Sequence, residues 1–235
     1  MRIAAPRRAI RHQPSNMAPL LAALLLSSLM SVATVAFRVY YSGSSAYVFL
    51  VWNLVLAWAP LLCALALWQF AVYGRRATLL LLPFLGCWFL FFPNSPYIVT
   101  DFLHLTQRHN IPLWYDLLLI FSFAWNGLIL GFVSLWIVQG VIQALYGRWL
   151  SWVTVSATLA ASGFGIYLGR FLRWNSWDLL TDPYGLARDI YVRLADPLAH
   201  PHTLAVTVLF SGFLAVAYLT FALLLRTRGP GPTSS

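Results

Sequence analysis

Three groups of residues in this chain have types and spacings that suit chemistry. Asp101 and His104 stand three apart, a spacing at which a carboxylate orients an imidazole as a general base or shares a metal ion with it. Asp116 adds a carboxylate, completing a candidate catalytic set of Asp101, His104 and Asp116. Arg170 and Arg173 are also three apart and fall on one face of a helix. Their planar forks suit an anionic site for a phosphate or other acidic group. Asn94, Tyr97 and Asn175 are positioned to line a polar pocket. Each group also has a plainer reading. Asp101 can serve a helix end while His104 is solvated. Arg170 or Arg173 can form a structural ion pair with Asp116 or Asp178, because a charge near hydrocarbon is costly unless paired.

No established catalytic motif decides between these readings. The chain has no GxSxG, no Walker loop, no HExxH and no dinucleotide fingerprint. Cys63 and Cys87 sit in apolar runs without CxxC or Cys/His spacing, so they read as buried, inert thiols. His200 and His202 flank Pro201 and are assigned no role. No metal site and no cofactor is expected.

The elements that position these residues follow from composition. Of 235 residues, 60% are hydrophobic and 9% charged, against about half and a quarter in a soluble domain. Disordered, collagen-like and coiled-coil chains are excluded, as is an ordinary soluble enzyme. All 15 basic residues are Arg and all six acidic residues are Asp, giving a net charge of +9. A nucleic-acid partner would need a clustered basic face, whereas these arginines flank apolar runs. The lipid bilayer is the expected partner, with anionic lipid headgroups as a further candidate; no nucleic acid is expected and the oligomeric state stays open.

A helix crosses a bilayer in about 20 apolar residues. Six runs qualify, at about 20–41, 47–73, 77–97, 113–142, 150–174 and 204–225. The expected fold is therefore an all-α membrane protein. It is a six-helix transmembrane bundle with short interfacial helices on the extracytoplasmic side, in one domain over 19–225. A basic tail (1–18) precedes the bundle and a disordered tail (226–235) follows it.

Arginine placement orients the bundle. One side holds Arg2, Arg7, Arg8, Arg11, Arg75, Arg76, Arg148, Arg226 and Arg228, with no Asp. The other holds Arg38, Arg108, Arg170, Arg173, Arg188 and Arg193 together with all six Asp. The positive-inside rule places both termini in the cytoplasm.

Pro93 and Pro96 break the third span, so residues 92–104 form either a polar pocket or a tightly packed corner. Thr100 is expected to cap a short helix carrying Asp101, His104 and Arg108. A second interfacial helix should start at Asp182–Pro183 and stop at Pro197, with Leu186, Ile190 and Leu194 as its apolar stripe and Arg188, Asp189 and Arg193 as its wetted face. Gly127 and Gly131 in span four, and Ala157, Ala161, Gly165 and Gly169 in span five, suggest that these spans pack on each other or on a common neighbour. Trp114, Trp149, Trp152, Trp174 and Trp177 fit an interfacial belt. Asn53, Gln69 and Asn126 read as interhelical hydrogen-bonding groups. No charge falls clearly mid-span, which weighs against a proton-coupled transporter.

Pro93-Asn94-Ser95-Pro96-Tyr97-Ile98-Val99-Thr100-Asp101, Trp114-Tyr115-Asp116-Leu117 and Gly169 through Asp178 resemble a family of bacterial multi-pass inner-membrane proteins catalogued as domain of unknown function 1361. The resemblance covers about residues 45–220. It implies a bacterial cytoplasmic-membrane protein and carries over no catalytic residue. The simplest function is a membrane scaffold or assembly partner with a polar extracytoplasmic face. The alternatives are a membrane-embedded enzyme acting on an anionic lipid or lipid-linked substrate, and a small-solute transporter. The residues leave open whether the protein is an enzyme.

Overall fold

The computed structural model describes residues 17–72, 78–106 and 111–227. The arginines of the N-terminal arm, Arg75, Arg76, Arg108, Arg228 and the C-terminal tail lie outside the described residues. Within them the chain is helical and has no strand. Six helical segments are long and apolar enough to cross a membrane, from Met17–Ser42 through Leu113–Tyr146 to Pro201–Leu225. This is the composition of an integral membrane protein. The chain divides into two compact units, Met1–Val155 and Ser156–Ser235.

The first unit contains α1 (Met17–Ser42), α2 (Phe49–Val72), α3 (Thr78–Phe91), the short α4 (Asn94–Tyr97), a 3-10 turn (Ile98–His104) and α5 (Leu113–Tyr146). The central element is α5, which packs against α2, α1, α4 and the 3-10 turn. Its buried residues run from Asp116 to Ile142 on successive turns. α2 and α3 have strongly apolar compositions with no polar face, as expected of helices with lipid on one side and protein on the other.

Hydrogen bonds between polar side chains tie the helices where apolar matching cannot. Asn126 of α5 donates to the Ser27 carbonyl at 3.3 Å and to Ser31 Oγ at 2.9 Å on α1. Trp58 Nε1 donates to Ser28 Oγ, and buried Trp88 Nε1 donates to Ser134 Oγ, each at 3.2 Å. Asn53 is likewise interhelical, whereas Gln69 is exposed.

The break at Pro93 is a packed corner. Ser95 and Pro96 are buried, and Ser95 Oγ donates to the Ala57 carbonyl of α2 at 3.1 Å. Pro60 lacks the N–H that would bond the preceding Leu56 carbonyl, so the α2 ladder is interrupted one residue from Ala57. A Cβ built on Gly127 would lie 2.5 Å from the Ser95 carbonyl, and one on Gly131 would lie 2.9 Å from Ser95 Cβ. The span-four glycines therefore receive the corner, a partner their spacing did not reveal. Thr100 does not cap a helix. Helical backbone runs unbroken into it from Asn94, and its hydroxyl donates back to the Tyr97 carbonyl at 2.7 Å.

The second unit contains the rest of α6 (Arg148–Phe171), then α7 (Asp178–Thr181), α8 (Pro183–Ala195), a 3-10 turn at Pro197–Ala199 and α9 (Pro201–Thr227). Its close helix approach is at Gly163, where an added Cβ would meet Ser211 and Thr207 of α9. Gly163 lies on the other side of α6 from the stripe of Ala157, Ala161, Gly165 and Gly169. α8 starts as its residues dictate: Asp182 accepts from the Gly185 N–H at 2.9 Å and Pro183 takes the first helical position.

The faces of α8 differ from expectation. Asp189 and Arg193, expected in water, are half-buried. Asp189 accepts from Trp174 Nε1 at 2.8 Å and pairs with Arg193 at 3.1 Å. The Arg193 guanidinium lies 5.9 Å from the Tyr167 ring centroid. Burial opposes its charge, but the bonds to Tyr167 and Asp189 outweigh that and hold its pKa above the ordinary value. Tyr184 and Tyr191, seven residues apart, are the exposed face at 81% and 72%. Trp174 is thus an anchoring side chain as well as an aromatic at the span end.

Candidate functional site

Asp116 stands at the start of α5, while Asn94 belongs to the corner that Gly127 and Gly131 receive farther along the same helix. Asp116 lies in its first turn, where the helix dipole favours a carboxylate. Its partner is Arg38, one turn from the end of α1. Arg38 Nε donates to Asp116 Oδ1 at 2.6 Å and Nη2 donates to Oδ2 at 3.0 Å. Both residues are 0% exposed. The two-pronged geometry matches the guanidinium fork to the carboxylate. Asp116 therefore spends both oxygens on Arg38, in place of the Arg170 or Arg173 expected from sequence. Antiparallel packing of α1 on α5 brings a C-terminal arginine to an N-terminal aspartate across 78 residues of chain.

The pair is enclosed by aromatic groups. Arg38 Cζ sits 4.5 Å from the Tyr47 ring centroid. Tyr115 donates its hydroxyl to the Thr34 carbonyl at 2.8 Å, and its ring lies against Phe37. Tyr47 Oη in turn donates to the His104 carbonyl at 3.2 Å. A continuous set of contacts thus runs from α5 through α1 to the 3-10 turn.

Asp101 and His104 lie on that turn, where residues three apart eclipse. Asp101 is 1% exposed and accepts from Asn53 Nδ2 of α2 at 2.9 Å. His104 is exposed, and its ring meets Phe49 edge-on with 5.2 Å between centroids. Both residues fasten the turn to α2. Asn94, half-buried, donates to the Phe91 carbonyl at 3.0 Å, and Tyr97 is also half-buried.

The remaining candidates belong to the second unit. Arg173 ends α6 with φ +63°, the left-handed region that favours glycine. The following Trp174 N–H returns to the Leu168 carbonyl at 3.1 Å. The Arg173 side chain is exposed. Asp178 accepts from the Asn175 N–H at 2.6 Å and from Thr181 Oγ1 at 3.0 Å, so its carboxylate serves its own turn and, among the described residues, no arginine. Asn175 is exposed within that turn. Arg170 lies in the last turn of α6, where a cation complements the helix end.

The Asn175 backbone N–H, with help from Thr181 and the Asn175 side chain, holds the Asp178 carboxyl below the usual range. A depressed folded-state pKa stabilises the turn at neutral pH, and the contribution is lost only as pH falls through that lowered value. Proteolytic nicking between residues 175 and 182 should therefore stay constant through about pH 4, the ordinary Asp range, and rise below it. Asp178→Asn should remove the pH dependence.

Among the described residues no three His, Cys, Asp or Glu side chains cluster as metal ligands. Sequence reasoning passed over Arg38. The signal available was the buried face of α1, where Ser28, Ser31, Val35 and Arg38 recur every three or four residues. No curated protein and no solved structure matches the chain. The family model described as protein of unknown function, DUF1361, matches residues 52–217, well over half of the chain, so this integral membrane protein belongs to the DUF1361 family.

Proposed function

We propose that the protein is a membrane scaffold or assembly partner, with both termini in the cytoplasm and the Asp116 end of the first unit at the extracytoplasmic surface. The arginine asymmetry supports that orientation. One observation carries the scaffold reading: Asp101 and Asp116, the best candidates for acid–base work, are 1% and 0% exposed and already bonded to Asn53 and Arg38. Carboxylates held that way fasten helices. Asn126, on which a transport path would depend, is buried with its amide donors spent on Ser27, Ser31 and Ser122, which favours packing over conduction. The test is lipid analysis of a deletion strain. The scaffold reading expects unchanged lipids and lipid-linked glycans, whereas accumulation of a lipid-linked intermediate would move the assignment to an enzyme.

Arg173 favours a second reading, an anionic-lipid contact. An exposed guanidinium is kept on a backbone conformation that costs a non-glycine residue roughly 1–2 kcal/mol. Arg173→Gly should raise stability by up to about 1 kcal/mol, since glycine's own flexibility takes back part of the relief. If the side chain holds lipid, the same variant should retain less phosphatidylglycerol in native mass spectrometry while phosphatidylethanolamine is unchanged. Equal retention of both lipids by variant and parent would leave Arg173 as a helix stop alone.

A further inference from the structure

Cys63 and Cys87 are the only two cysteines of the chain, and the fold brings them together. Their sulfurs are 3.6 Å apart, with the Cys63 thiol donating to Cys87 Sγ. Both thiols are free. This revises the expectation of buried, inert thiols: Cys63 is half-buried and Cys87 is exposed on the apolar surface of α3. The register is that of two antiparallel helices in contact, since Phe70 and Phe84 also stack across α2 and α3 at 5.0 Å.

Depth decides what can react with them. By helical rise, Cys63 lies about 21 Å from the Phe49 end of α2 and about 13 Å from its other end. Cys87 lies about 13 Å from the start of α3. In a hydrocarbon layer of about 30 Å, both sulfurs sit near the middle. Charged water-borne thiol reagents and redox proteins do not work at that depth, so a reaction partner must be dissolved among the acyl chains.

We propose that Cys63 and Cys87 form an intramembrane dithiol that a lipid-soluble quinone oxidises to a disulfide. Cys87, the exposed member, adds its S–H to a quinone carbonyl, sulfur to carbon and hydrogen to oxygen. The Cys63 sulfur then attacks Cys87 Sγ. The carbon–sulfur bond breaks with its electron pair passing to the ring, and the Cys63 proton completes the quinol. Two thiols lose two electrons and two protons, and one quinone gains them. The product staples α2 to α3. Closing the bond brings the sulfurs from 3.6 Å to about 2.05 Å.

The test uses membranes carrying the full-length protein, reduced and then freed of dioxygen, with a short-chain benzoquinone as probe. One quinol should form per chain, and both cysteines should stop reacting with maleimide. Trypsin acting on the denatured protein separates residues 39–75, which hold Cys63, from residues 77–108, which hold Cys87. After quinone treatment these peptides should travel as one species two hydrogens lighter than their sum. Cys63→Ser and Cys87→Ser should each form no quinol. Thiols that remain reactive after quinone, while neutral, membrane-permeant iodine closes the bond, would leave the pair juxtaposed but overturn the quinone step. A lasting quinone adduct on Cys87 would overturn the exchange step, and failure of both oxidants would overturn the pairing itself.

Discussion

Asp116→Ala is expected to be the most damaging single substitution in the first unit, lowering stability by about 3–5 kcal/mol. The reason is what it leaves behind. Arg38 is 0% exposed and its guanidinium lies between Asp116 and the Tyr47 ring, so the variant buries a cation without its counter-ion. The Arg38 guanidinium, 0% exposed, would have to leave its site between α1 and α5 to reach water. Asp116→Asn should lose nearly as much, because an amide restores one hydrogen bond and no charge. Removing both partners should behave differently. The double substitution of Arg38→Met with Asp116→Leu replaces the pair with apolar groups of similar bulk, which in other proteins is neutral or stabilising. Thermal unfolding in detergent, followed by size-exclusion fluorescence, should show the single variants aggregating at much lower temperature and the double variant near the parent. A double variant that folds yet reproduces a lipid change seen in the deletion strain would reassign the pair from holding helices to chemistry.

The second large effect is expected at the corner. Gly127→Ala places a methyl 2.5 Å from the Ser95 carbonyl oxygen and 3.0 Å from Ile98 Cδ1. The nearer atom is backbone, so relief requires the whole 94–98 segment to move away from α5. That movement stretches the bond from Ser95 to the Ala57 carbonyl. A loss of about 1–3 kcal/mol is expected. Gly86→Ala on α3 is the matched control, because nothing lies within 4 Å of its added methyl. It should be neutral or slightly stabilising, as alanine is the better helix former. Equal unfolding temperatures for the two variants would show that the corner is loose, and would reopen the pocket reading of Asn94 and Tyr97.

Much of this protein was legible before any coordinates. The six spans, the all-helical class and the start of α8 at Asp182–Pro183 follow from run length and cap chemistry, which are local properties of the chain. The glycine pair in span four announced a close approach, and one occurs there. The partner of each close approach was not legible. In water an amphipathic stripe reports which face is buried, but in lipid both faces of a helix are apolar, and α2 and α3 carry no such stripe. Hence the sequence shows that Asp116 needs a cation and offers several arginines; only the packing of α1 on α5 selects Arg38. The same holds for Asp189 and Arg193, which composition assigns to water and the fold turns toward Trp174 and Tyr167. It holds again for two cysteines 24 residues apart, whose meeting depends on the register between α2 and α3. Length and charge decide that a segment crosses the membrane; which side chains meet is decided by neighbours that an apolar solvent leaves unmarked in the pattern.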